Sequence, residues 1–266
     1  MKYKVTTPPN SEPISLAEAK LHLRVDTTDD DVLISSLVKA AREYCEKFQN
    51  RSYVAQVVTL KLDQFTASDY IELPLAPLIS VSSISYVDNN GATQTFSSSN
   101  YSVDVFSEPG RITLGYNKTW PSDCRGYYDD LTITYVAGYA NTFTAVAGTD
   151  VLTAGNKTFA DGDELRLFTT DNDLPAPLAL NTKYYARDSS GSTCKLAASS
   201  GGAALDITDA GSGTHFFDAI PEAIRQAIKL LIGHLYEHRE DATELKLTEM
   251  PLGVKSLLWQ DRLGAV

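Results

Sequence analysis

The texture of the chain breaks twice, at about Asn141 and at about Asp218. Helical and then strand patterning precede the first break, and one strongly amphipathic segment, Pro221 to about Arg239, follows the second. Between them runs a Gly/Ala/Ser/Thr-rich stretch with no helical periodicity. The outer pieces therefore read together as one α+β domain, interrupted by an all-β module in a surface loop, where an insertion costs little. The expected divisions are 1–140 for N-terminal helices and a β region, 141–218 for the inserted β-domain, 219–239 for a core helix, and 240–266 for a C-terminal arm.

Ser15-Leu16-Ala17-Glu18 has the form of a capping box and opens a short helix to about Leu23. Thr27 to Asp31 supplies a cap and negative charge for the positive end of a second helix, which runs to about Gln49. The acidic run lacks the spaced ligands, central glycine and closing glutamate of a calcium loop. Leu33, Leu37, Ala40 or Ala41, Tyr44 and Phe48 recur at spacings of three and four and predict the core face of the second helix. In the last helix Ile224, Ile228, Leu231 and Leu235 play that part, behind a proline at its first turn. Together the helices predict a small bundle.

Alternation begins at Val54 to Leu62 and returns at Tyr70 to Leu73, Ile79 to Val87, Ala92 to Phe96, Tyr101 to Val105, Arg111 to Leu114 and Leu131 to Val136. Asp88-Asn89-Asn90-Gly91 marks a hairpin turn, since Asn and Gly tolerate positive φ. In the middle stretch Val151-Leu152, Glu164 to Phe168, Thr182 to Arg187 and Thr193 to Leu196 lie between turn signals, the pattern of a small sandwich or barrel. The sheets are expected to be antiparallel.

Acidic residues outnumber basic ones, 34 to 23, for a formal charge of -11. Such a balance excludes a protein that grips nucleic acid through its phosphates, but not one that DNA slides past. No segment approaches the roughly 20 apolar residues of a membrane span, so no membrane partner is expected, and Met1 to Pro9 reads as a soluble, unprocessed start. Cys45, Cys124 and Cys194 are scattered and odd in number, which predicts reduced structural thiols and no zinc site built on cysteine.

The sharpest chemical motif is His234-Leu235-Tyr236-Glu237-His238, the H-x-x-E-H pattern of inverted zinc peptidases, in which two histidines one helical turn apart bind metal beside a glutamate base. A third ligand would have to come from Glu240, Asp241, Glu244, Glu249 or Asp261, in a stretch that reads as an exposed arm. The reading adopted is structural: histidines near a helix C-terminus, where positive charge is welcome. No Gly-x-Ser-x-Gly elbow, phosphate loop or dinucleotide fingerprint occurs. Trp120 and the Tyr127-Tyr128 pair could stack on sugars or bases, but without a basic surround they read as core or interface anchors. No catalytic residue, cofactor or metal is expected.

Glu12-Pro13-Ile14-Ser15-Leu16-Ala17-Glu18-Ala19-Lys20-Leu21-His22-Leu23-Arg24-Val25-Asp26, with the Asp-rich cap and the Leu33 to Tyr44 helix, resembles the head-tail connector family of tailed bacteriophages, also called adaptor or head-completion proteins. The likeness continues in order through Leu73 to Val81, Glu108 to Ile112, Val136-Ala137-Gly138-Tyr139, Pro221 to Ile228, and Gly233-His234 with Tyr236 and Arg239. It ends with Pro251-Leu252-Gly253-Val254 to Leu258. In such relatives the Val-Ala-Gly-Tyr strand runs through a brief loop into the Pro-Glu helix, whereas here the inserted module intervenes.

The resemblance implies a ring, dodecameric, at the neck of a virion assembled in the host cytoplasm. It would bind the portal vertex after DNA packaging and serve as the platform for a stopper or tail-terminator protein, with DNA passing through without specific binding. Its chemistry would be binding alone. The arm, with its apolar end Leu252, Val254, Leu257, Leu258 and Trp259, is expected to dock on the portal and to order there. Two alternatives are a zinc peptidase using His234, Glu237 and His238, and a glycan- or receptor-binding virion protein acting through the insert and its Tyr184 and Tyr185.

Overall fold

The computed structural model describes residues 2–155, 157–169, 173–180, 182–238 and 251–264. In chain order the elements are β1 (Lys2–Thr7), α1 (Leu16–Leu23), α2 (Asp31–Gln49), β2 (Gln56–Leu62), β3 (Tyr70–Glu72), β4 (Leu78–Val87), β5 (Thr93–Thr95), β6 (Tyr101–Asp104), β7 (Arg111–Leu114) and β8 (Leu131–Ala137). There follow β9 (Ala140–Val146), β10 (Val151–Ala154), β11 (Glu164–Thr169), β12 (Lys183–Ser190), β13 (Thr193–Ala197), β14 (His215–Asp218), α3 (Glu222–Glu237) and α4 (Leu252–Trp259). The fold is α+β with antiparallel sheets and a closed six-stranded barrel, so the middle stretch closes on itself and is not a two-sheet sandwich. The described residues form two compact units, one from residues 2–9, 50–138 and 263–264, the other from 10–49 and 139–262.

The first unit carries a five-stranded sheet in the order β1-β2-β8-β4-β5 and a three-stranded sheet β3-β7-β6. Its alternation works as written: Val58 and Leu60 pair with Tyr135 and Ile133 on the buried face, while Thr59 and Lys61 pair with Thr134 and Thr132 on the other. The hairpin between β4 and β5 turns at Gly91, φ 80°, with Asp88 Oδ1 accepting from the N–H groups of Asn90 and Ala92. At the end of β8, Gly138 is required, because a Cβ there would lie 2.6 Å from the backbone of Val54 and Ala55. Trp120 stacks on Phe65 at 5.2 Å and donates its indole N–H to the Ser68 carbonyl, sealing the sheet core.

In the second unit β10-β13-β12-β11-β14-β9 close into the barrel, filled by Leu165, Leu167, Leu196 and Phe217. Its first and last strands pair with each other, Ala140 opposite Asp218 and Phe143 opposite His215, so the chain enters and leaves the barrel side by side. β9 and β14 straddle the texture breaks and fall outside the strands expected from alternation. So does β1, a lysine-bearing edge strand whose exposed residues give no apolar period.

Both ends of the Ser15–Glu18 capping box are made, and Arg24 closes α1 in the left-handed region at φ 57°. On α2 the buried apolar face is Ile34, Val38, Ala41 and Cys45, one residue along from the expected stripe. Leu33, Leu37 and Phe48 are half-buried and Tyr44 is 49 % exposed. A one-residue offset turns a helix by about 100°. The helix carries two adjacent apolar stripes, and Arg42, bonded to Glu12 and Glu46, sits on the buried side. On α3, Ile224, Ile228 and Leu231 are buried with Ala227 and Ile232, and Leu235 is half-buried.

Candidate functional site

The histidine motif lies at the C-terminal end of α3. The helix stops at Glu237, and His238 turns back so that its Nδ1 lies 3.0 Å from the His234 carbonyl oxygen, with the two rings 4.6 Å apart. Glu237 and His238 are exposed, not walls of a cleft. Glu240, Asp241, Glu244 and Glu249 lie outside the described residues, and Asp261 is exposed. Among the described residues no three His, Cys, Asp or Glu side chains are placed to hold a metal. Burial pushes the Cys45 and Cys194 thiols up to about 12, which keeps both protonated and unreactive near neutrality.

The arm divides into a part outside the described residues, 239–250, and α4, which packs on α2 and α3. Val254 and Leu258, one helical turn apart, are fully buried. Gln49 donates its side-chain N–H to the Leu258 carbonyl at 2.6 Å, and Arg262 donates to the Phe48 carbonyl while its guanidinium lies over the Phe48 and Trp259 rings. The apolar end is therefore already helical within the chain, because the groove of α2 and α3 offers the core it cannot build alone. Of the five residues expected to meet the portal, Leu252 is 80 % and Trp259 57 % exposed, Leu257 is half-buried, and Val254 and Leu258 face inward.

A four-membered charge cluster bolts the barrel to the helices of its own unit. Arg225 of α3 reaches Asp218 of β14 and Glu18 of α1, each at 3.0 Å. Arg166 of β11 lies 2.5 Å from Glu18 and 3.6 Å from Asp218. The Arg166 Nη2 contact is a Coulombic pair and not an aligned hydrogen bond. Burial pushes the Glu18 carboxyl up, but the Ser15 N–H and the two guanidinium groups outweigh it and hold the group below its ordinary pKa. For Asp218 burial wins, against the Ile220 N–H and both arginines, and its pKa is raised. Patterning missed this cluster because its members are far apart in sequence; a charged residue at each end of a buried strand or helix face was the only available signal.

The remaining chemistry is structural. His215 has both ring nitrogens engaged, by Thr169 Oγ1 at 3.0 Å and the Ala210 carbonyl at 2.9 Å. Tyr184 is buried with its hydroxyl accepting from the Ala179 N–H, and Tyr185 is half-buried, so this pair offers no open stacking platform for a sugar. Tyr127 and Tyr128 are exposed in the other unit, with Lys2 Nζ over the Tyr128 ring at 3.5 Å.

Residues 13–116 match the family described as "Phage gp6-like head-tail connector protein". Over that stretch the chain is similar to head-tail connector proteins. The segment takes in α1, α2 and the strands to β7, and the later fragments of the resemblance lie beyond it. The fold is similar over the whole chain to a chain in the neck of an empty gene transfer agent particle with C6 symmetry, at 19 % identity and a TM-score of 0.59, covering 100 % of this chain and 97 % of that one. A chain in the virion of the native particle (18 %, 0.58) and one in its neck with C12 symmetry (18 %, 0.57) have the same coverages. The aligned span includes the barrel. No curated protein sequence matches the chain.

Proposed function

We propose that this connector is a ring-forming structural subunit of a virion neck that seats on the portal after packaging and receives a stopper or tail-terminator protein on its other side. The observation that carries this reading is the match to the connector family at 13–116 inside a chain whose whole fold is similar to chains of particle necks computed with C6 and C12 symmetry. Chemistry agrees with it: a net charge of -11 lets DNA pass without electrostatic trapping. A twelve-subunit ring is the stoichiometry we adopt.

In this reading the barrel at 141–218 is an insertion into the connector, and 240–266 is the portal-docking arm. α4 works as a clip with two faces: Val254 and Leu258 fix it to α2 and α3, while Leu252, Leu257 and Trp259 meet the portal. Truncation after Arg239 is expected to leave a folded protein that no longer retains portal in a pull-down. Retention at the full-length level would move the contact to another surface.

A further inference from the structure

We propose that the outer face of the five-stranded sheet is the surface past which duplex DNA moves, touching it weakly through phosphate oxygens. The inference rests on the ring reading above and adds to it the side of the subunit that meets DNA. Strand pairing defines the face. Lys2 and Lys4 of β1 lie opposite Lys61 and Thr59 of β2, and Lys61 and Thr59 lie opposite Thr132 and Thr134 of β8. On β4, Ser85 and Ser83 continue the two rows, and Thr95 of β5 closes the first. The other face carries Val58, Leu60, Ile84, Ile133 and Tyr135 and is buried in the core of its unit. The outer face is left to solvent: its lysines, Ser83 and Thr95 are exposed, and Thr59, Ser85, Thr132 and Thr134 are half-buried.

Its charge is the reverse of the chain's. Acidic residues outnumber basic ones 34 to 23 over the whole sequence, yet these rows from β1 to β5 carry lysines and no carboxylate. Lys2 is shared at the border with Asp129, 3.4 Å away, while Lys4 and Lys61 have no ion pair among the described residues. The hydroxyls of Ser83, Ser85, Thr95, Thr132 and Thr134 make no hydrogen bond within the described chain and are free to donate outward. Ammonium groups and hydroxyls on one face, with no carboxylate to repel an oxyanion, complement a phosphate backbone. Contacts to phosphate carry no base sequence, so the surface serves any DNA. Three lysines on a chain of net charge -11 give a weak contact, one that moving DNA can break.

The test is fluorescence anisotropy of a labelled mixed-sequence duplex with the full chain, free and seated on portal, with portal alone as the baseline. With about three phosphate contacts per copy, affinity is expected to fall about fortyfold between roughly 50 and 200 mM salt, and with about one contact left in Lys4→Gln/Lys61→Gln, about fourfold. The double variant should keep the parent's melting temperature, because both lysines are exposed. Equal salt dependence in parent and variant, or no DNA binding by connector rings seated on portal, would overturn the inference and leave the ring reading standing. Variant rings that dissociate more readily while DNA affinity is unchanged would overturn it too, and would assign the face to contact between copies. A chain that does not seat on portal would remove the ring reading and the inference with it.

Discussion

The barrel and the five-stranded sheet are both antiparallel and of similar size, yet they manage their edges in opposite ways. The barrel closes β9 onto β10 and β14, so every strand has two neighbours and no edge is offered to another chain. The sheet ends in β1 and β5, guards β1 with Lys2 and Lys4, and bends β4 with two irregularities in its register. Closure makes the barrel a bolted block whose attachment is ionic, through Glu18, Arg166, Asp218 and Arg225, while the unit containing the open sheet keeps its exposed aromatics, Phe106, Tyr116, Tyr127 and Tyr128. The barrel is fixed to the helices of its own unit, whereas the sheet keeps two open edges.

Removing the block is the hardest test of that contrast. Replacing residues 142–217 with a short Gly/Ser linker should leave a cooperative melt with helical circular dichroism retained, at a lower melting temperature, because Glu18 and Arg225 lose Arg166. Aggregation or loss of the helical signal would show that the barrel belongs to the folding core. A smaller cut at the same joint is Arg225→Ala, which leaves Glu18 and Asp218 with Arg166 alone and should cost about 1 to 3 kcal/mol in denaturant unfolding. A cost under about 1 kcal/mol would mean that the joint is wet and the barrel loosely held.

The sequence showed two of the joined pieces and hid the joint. Strand alternation placed the sheet and most barrel strands because one buried face imposes a period of two, as at Val58 and Leu60. It failed at β9 and β14, where the compositional break itself runs through the strands. It also failed on α2, where Leu33, Leu37, Tyr44 and Phe48 fit the helical period as well as Ile34, Val38, Ala41 and Cys45 do, and only the packing of α1 and α3 selects between the two stripes. The arm's apolar end was legible as a cluster. That half of it would find a groove on its own chain was not, since the groove is made by residues about two hundred positions earlier and by α3.

The choice of stripe is open to a paired measurement. Ile34→Ala should cost about 2 to 5 kcal/mol from lost transfer energy and the cavity left behind, whereas Tyr44→Ala should cost less than about 1 kcal/mol. Equal costs would mean that both faces are buried in the isolated chain. Leu231→Ala belongs with Ile34→Ala.

Acid should separate the two units by the smallest margin. In the sheet unit, hydrogen bonds from Gln94, Ser107 and Arg125 hold Asp88, Asp104 and Asp130 below their ordinary pKa values, so their stabilisation is present above about pH 4 and is lost as pH falls through the folded values. Asp218 runs the other way. Burial raises its pKa, so its contribution is kept at low pH and lost as pH rises, which partly offsets the acid loss carried by Glu18 in the other unit. Below about pH 4, Trp120 fluorescence in a Trp259→Phe variant should therefore report loosening of the sheet unit before helical circular dichroism falls. Simultaneous loss at every pH would mean that the two units unfold as one.

The central claim is that this chain is a ring that binds a portal, and electron microscopy of the purified chain mixed with portal tests it most directly. The expected image is a closed ring of connector subunits capping the portal, twelve to a ring, with the open passage on a shared axis. Portal particles left bare beside a monomeric connector, at concentrations where both are folded, would contradict it.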